Sequence, residues 1–247
     1  MTVIILRDFM RLPLTLWLLL VMVGAHASTI SIGASSNRPP YILEDAESGL
    51  EVEIIRAAFA AVGMEASFKF YSRKRQLLFY GKERFDGIMT VNSSLDLTGY
   101  PSDIYIYYQN VAISLAEKQI RLERVADLQN ISIAAFEDAS ILLGGEFYKV
   151  SKRTIYRELD TTENQNKMLY LGRIDVAVAE KYVFLANNLR LAGELDTSKA
   201  LDIHELFPRT AYRLMFRNSI VRDAFNEGLR KIRENGRYDA LVKQFLH

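Results

Sequence analysis

The chain has no cysteine. No disulfide can brace it, no thiolate can hold zinc or act as a nucleophile, and no lipid-bearing N-terminal cysteine can anchor it. Histidine is nearly as scarce: His26, His204 and His247 are the only three and stand far apart. That leaves little material for a histidine metal site or a Ser-His-Asp triad. His204 lies in the polar run Asp202-Ile203-His204-Glu205 and reads as a solvated surface residue. An excess of charge is missing too, with a formal net charge of +1. A near-neutral protein presents no field to attract nucleic acid or an anionic membrane. After the first apolar stretch, no further run approaches the roughly 20 residues that cross a hydrocarbon core.

The N-terminus has an address label. Arg7 and Arg11 precede an apolar run from Leu12 to Val23, and Ala25-His26-Ala27 follows as a small-x-small site. This order predicts a secretory signal peptide over residues 1–27, cleaved after Ala27, and a periplasmic location. The alternative is a membrane anchor, which the short, Pro13-interrupted run disfavours. Cleavage removes Arg7, Arg11 and Asp8 and leaves acidic and basic residues equal in number.

Beyond Ala27, short apolar strands alternate with amphipathic helices. Thr29 to Gly33, Ala66 to Tyr71, Ile88 to Val91 and Asn110 to Ala116 read as strands. So do Ile131 to Phe136, Thr154 to Leu159, Asp175 to Glu180 and Ala211 to Phe216. Val52, Ile55, Phe59 and Val62 recur at helical spacing after Gly49, and Gly63 closes that helix. Further helices are expected from Gln76 to Tyr80, after Ser140, from Thr162 to Leu171, from Ser219 to Gly236 and from Tyr238 to Leu246. Alternation of this kind predicts an α/β fold with helices on both faces of each sheet. One internal echo suggests two similar lobes. Leu77-Leu78-Phe79-Tyr80-Gly81 followed by Asp86-Gly87-Ile88 has the same plan as Met168-Leu169-Tyr170-Leu171-Gly172 followed by Asp175-Val176-Ala177.

Several motifs in one order resemble the family-3 bacterial extracellular solute-binding proteins. They are Pro39-Pro40-Tyr41 after the first strand, Gly49-Leu50-Glu51-Val52-Glu53 at a helix start, the Leu77 to Ile88 unit and Tyr105-Ile106-Tyr107-Tyr108. Asp127-Leu128 before the strand at Ile131, Gly172 to Glu180, and Asn226, Leu229, Gly236-Arg237-Tyr238 and Phe245 complete the series. The resemblance implies a type II periplasmic-binding-protein fold of two lobes, each a mostly parallel sheet flanked by helices. Lobe 1 is expected over residues 28–114 and 212–247, lobe 2 over 115–211, with hinge crossings near Ala112 and Leu214. It also implies a monomer, without cofactor or metal, that captures a small polar solute for an ABC permease or a membrane sensor. A dehydratase-like enzyme on the same scaffold is the competing reading. In it, Glu137 or Glu180 supplies acid–base chemistry.

Ligands of open α/β sheets sit beyond the carboxyl ends of the strands. In this chain that rule selects Asn37, Arg38 and Tyr41 after the first strand, and Tyr71, Arg73 and Arg75 after the second. It also selects Thr90, Asn92, Ser93 and Ser94 after the third. In lobe 2 it selects Glu180 and Glu137 to Ser140, the latter at a helix start whose free N–H groups suit an anion. The family's carboxylate-binding arginine falls at Leu95, and leucine cannot replace a forked guanidinium. Either Arg38, Arg73 or Arg75 takes its place, or the solute has no α-carboxylate. Ser72-Arg73-Lys74-Arg75 resembles, with Ser for Pro, a Pro-x-x-Arg that some relatives carry, so Arg75, on an extended 73–75 loop, is the expected substitute and Arg73 is expected to matter less. Glu180 is expected to face the solute from lobe 2.

Overall fold

A computed structural model describes residues 28–246; the expected leader and its cleavage after Ala27 lie outside the described residues. The described residues form two sheets. The first joins β2 (Glu65–Tyr71), β1 (Thr29–Ser35), β3 (Gly87–Val91), β11 (Thr210–Phe216) and β4 (Tyr100–Pro101) in that order, and β5 (Ile106–Tyr108) also pairs with β11. The second runs β10 (Leu201–His204), β6 (Asn110–Leu115), β9 (Val176–Glu180), β7 (Ile133–Phe136), β8 (Tyr156–Leu159).

Alternation along the strands decides which helices cover which face. In β1, Ile30, Ile32 and Ala34 turn toward α1 (Leu50–Ala60), α7 (Ser219–Glu234) and α8 (Arg237–Phe245), and pack with Ile55, Phe59, Phe225 and Leu229. Gly33 turns to the other face, against Phe85 and Ile88, the side covered by α2 (Arg73–Gly81). In the second sheet Ile133 and Ala135 meet Phe147 of α4 (Gly145–Ser151). Ala134 and Ala177 meet Leu169 of α5 (Thr162–Tyr170) and Phe184 of α6 (Lys181–Leu191). The two α1-side helices pack closely because Gly228 lets α7 approach: a Cβ there would lie 1.9 Å from the Ala58 carbonyl oxygen.

The internal echo has a physical basis. In both sheets the third strand of the βαβ unit inserts beside the first, giving β2-β1-β3 and β8-β7-β9. In each, the echoed aspartate clamps a serine near the start of the first strand. Asp86 Oδ2 accepts from the Ser31 amide at 2.8 Å and its hydroxyl at 2.5 Å, and Asp175 Oδ2 accepts from Ser132 at 3.2 and 2.6 Å. The return bonds from the Asp86 and Asp175 amides to the same hydroxyls are 3.1 and 2.9 Å.

The passages between sheets differ from expectation. Ala112 lies inside β6, paired with Val178 and His204, so residues 110–114 belong to the second sheet. Thr210 and Ala211 pair with β5 and belong to the first. The chain therefore crosses at Gln109 and again between His204 and Thr210. His204 is half-buried in β10, its ring 3.3 Å from the Ser114 hydroxyl, because an edge strand replaces the expected solvated run. α6 starts directly after β9 with no loop between them. Among the described residues no helix is long and apolar enough to cross a membrane.

Candidate functional site

The chemistry gathers at the carboxyl ends of β1 and β3. Its floor is Glu51, fully buried on the first turn of α1. Gly49, at φ 109, lets the preceding loop lie against that turn, and a Cβ there would fall 2.4 Å from the Tyr41 carbonyl oxygen. The loop carbonyls of Pro40 and Tyr41 accept from the Leu50 and Glu51 amides. An isolated buried carboxylate is costly unless donors surround it. Here three hydroxyls do so: Thr90 Oγ1 donates to Glu51 Oε2 at 2.8 Å, Tyr105 donates to the same oxygen, and Tyr108 donates to Oε1.

Thr90 reaches Glu51 because the strand bulges. Between Ile88 and Val91 of β3, β11 advances only from Met215 to Arg213, and Thr90 takes φ 60. A β-branched residue adopts that region only when its surroundings hold it there. The Thr90 amide donates to the Tyr105 hydroxyl at 3.1 Å, which supplies part of that hold.

Two guanidinium groups stand over this floor. Arg73 opens α2. It donates to Gln76 Oε1 at 2.5 Å and to the Thr90 carbonyl at 2.9 Å. Gln76 in turn donates to the Gly33 carbonyl at 2.7 Å, fixing the helix start on the sheet. Arg38 lies beside Tyr108, Tyr212 and Glu51. Burial works against its charge, but attraction to Tyr108 and Glu51 outweighs it and holds its pKa above the ordinary value. Arg73 is shifted the other way, down, first by burial and then by the like charge of Arg38. Neither arginine forms an ion pair with a carboxylate among the described residues. Tyr212, whose hydroxyl meets Asn92, closes the side of the cluster.

Tyr41 and Glu180 meet across the two sheets. The buried Tyr41 hydroxyl donates to Glu180 Oε1 at 2.8 Å, and the Tyr41 ring stacks on Tyr108 at 4.1 Å between centroids. Glu180 also caps α6, accepting from the Val183 amide at 2.9 Å, and receives the Gln109 amide at 3.3 Å. Burial raises its pKa, only partly offset by these donors. Gln109 Nε2 donates to the Phe207 carbonyl at 2.7 Å, tying one crossing to the other.

The structure thus brings Arg38, Arg73, Thr90 and Asn92 together, and sets Tyr41 and Glu180 beside them as partners of each other. The remaining expected residues stand elsewhere. Arg75 is exposed, with no side-chain partner among the described residues, because 73–75 is the first turn of a helix and not an extended loop. Tyr71 packs on Phe79 and Phe85 under α2. Ser93 is exposed, and Asn92 Oδ1 accepts from Ser94. Glu137 is exposed at the carboxyl end of β7. The amides near Ser140 are not free for a ligand. Glu158 already takes those of Asp138 and Ser140, both at 2.9 Å, and α3 (Ala139–Leu142) is a single turn. Leu95 packs with Tyr80, Phe85 and Val91. Sequence reasoning missed Glu51, Gln76, Tyr108 and Tyr212 as members of the site. Among the described residues no group of three or more His, Cys, Asp or Glu could hold a metal ion.

No protein-family model matches the sequence, and no curated protein is similar to it. Solved structures are similar in shape. The GluR0 ligand-binding core in complex with L-glutamate superposes with a TM-score of 0.72 at 12% identity, covering 90% of this chain and 100% of that one. An ancestral arginine-binding protein bound to arginine gives 0.68 at 18% identity, over 89% and 99%. The substrate-binding protein of an ABC uptake transporter from Streptococcus pneumoniae with bound histidine gives 0.67 at 15%, over 88% and 92%. At these identities the likeness establishes the fold: this chain has the two-lobed α/β architecture of the type II periplasmic binding proteins, as its motifs imply.

Proposed function

We propose that the chain is an exported solute-binding protein that holds a small, amino-acid-like molecule in the cleft between its lobes. Arg38 and Arg73 carry the reading. They are two partly desolvated guanidinium groups side by side at the carboxyl ends of one sheet, without a carboxylate partner within ion-pair distance among the described residues. A buried cation that repels its neighbour is costly unless an anion completes it. Glu51 is engaged by three hydroxyls and makes no ion pair with either arginine, so it does not complete both. A carboxylate seated between the two forks would satisfy them. The far end of the solute, cationic or hydroxyl, faces lobe 2 near Glu137. Binding, not catalysis, suits a site in which each buried acid is already engaged by donors. The bound glutamate, arginine and histidine of the similar structures fit a solute of this size and class.

In this reading residues 1–27 are the cleaved leader and the protein works in the periplasm as a monomer. The lobes close about Gln109 and the segment before Thr210, and the loaded form serves an ABC permease or a membrane sensor. A thermal-shift screen against amino acids, dipeptides, polyamines and organic acids tests the reading. A ligand present at a hundred times its Kd adds about 2.7 kcal/mol to stability. At least one carboxylate-bearing amino acid or dipeptide is expected to raise the melting temperature, and polyamines are expected to leave it unchanged. Stabilisation by polyamines alone would contradict the paired-arginine site.

A further inference from the structure

We propose that Tyr41 and Glu180 form a latch that holds the lobes closed before any solute binds, so that Glu180 acts through closure and does not touch the solute. The two residues come from opposite lobes: Tyr41 follows β1, and Glu180 ends β9. The 2.8 Å bond between them is buried at both ends. The remaining donors to Glu180, the Val183 and Gln109 amides, come from its own lobe and from the crossing, so opening the cleft removes the Tyr41 donor alone. Glu180 already receives three bonds, which is why it makes a poor candidate for gripping a ligand.

Further contacts give the latch a rigid seat on each side. Tyr41 is held from behind by its stack on Tyr108, whose hydroxyl is fixed on Glu51. On the other lobe, Tyr182 and Val183, two and three residues after Glu180, pack into the apolar core of the first lobe. The closed arrangement therefore combines a charge-assisted hydrogen bond with apolar burial at one place, next to the residue where the chain crosses. A charge-assisted bond between preorganised partners is among the stronger hydrogen bonds in proteins.

The absence of cysteine makes the test clean, because two introduced thiols take spin labels without competition. Leu78 on α2 and Ile141 on α3 are exposed and lie on opposite lobes, so Leu78→Cys with Ile141→Cys reports the lobe separation. Pulsed electron resonance on the solute-free protein is expected to show one dominant short distance. Adding Tyr41→Phe, which keeps the ring and its stack but removes the donor, is expected to enlarge the long-distance population about tenfold with the circular dichroism spectrum unchanged. Glu180→Ala is a second route to the same outcome, with Tyr41 intact. Identical distance distributions in the parent and Tyr41→Phe would overturn the latch, as would a solute-free parent that is already mostly open. Because no solute is present, failure here leaves the binding reading standing.

Discussion

Replacing Glu51 with alanine is expected to cost more stability than any other single change at the site. The substitution removes the acceptor shared by Thr90, Tyr105 and Tyr108, and leaves Arg38 without its nearest negative charge. A hydroxyl stranded in the interior costs about 1–3 kcal/mol. Breaking a buried charged network from one side costs about 3–5 kcal/mol in comparable cases. The expected loss is in that range, a fall of roughly 10 °C in Tm for a protein of this size. Glu51→Gln keeps the shape and one acceptor oxygen and is expected to lose less. Urea titration followed by circular dichroism measures both. An alanine variant as stable as the parent would mean that the nest is not holding Thr90 and the tyrosines in place.

The second large effect is on binding. Arg73→Ala and Arg38→Ala are each expected to weaken solute affinity by at least tenfold. Truncating one side of a desolvated charged contact typically costs about 2–5 kcal/mol. Arg73→Lys keeps the charge but loses the fork and is expected to recover only part of it. Arg75→Ala, on the exposed face of the same helix, is expected to stay within about twofold, as surface changes usually do. This order reverses the one the sequence suggests. Calorimetric titration of the four variants with the best ligand from the screen decides it. A loss at Arg75 equal to that at Arg73 would refute the assignment.

That reversal shows where the sequence is legible. Whole strands declare themselves by alternation, because one face must be apolar. β1 and β2 lie within a few residues of expectation for that reason, while β3 and β9, buried at every position, show themselves as short continuous apolar runs. Side-chain direction within a helix turn depends on where the helix begins, and the expected start at Gln76 left Arg73 outside it. With the helix beginning at Arg73, positions 73, 76 and 80 share a face, and Gln76 and Tyr80 are both buried. Arg75 then points outward. The signal was present in the spacing but depended on a boundary that propensity does not fix.

Glu51 hid in a similar way. Acidic residues are expected in the first turn of a helix, so Glu51 and Glu53 read alike. They differ in phase. Glu51 shares its face with Ile54, Ile55 and Ala58, all buried, whereas Glu53 stands beside Arg56 on the outer side. An acid inside an apolar stripe is the feature that could have drawn attention to it. The engagement of Glu180 by Tyr41, and of the Ser140 turn by Glu158, had no such trace. Both bonds join residues distant in sequence and depend on the strand order of the folded protein.

The central claim is that Arg38 and Arg73 together receive the anionic end of a solute between the lobes. A crystal structure of the protein with the most stabilising compound of the screen tests it most directly. The expected result places a carboxylate or equivalent anion within hydrogen-bond distance of both guanidinium groups, over Glu51, with the rest of the molecule running toward lobe 2. A ligand whose anionic end lies in lobe 2 or in solvent, with Arg38 and Arg73 untouched, would contradict it.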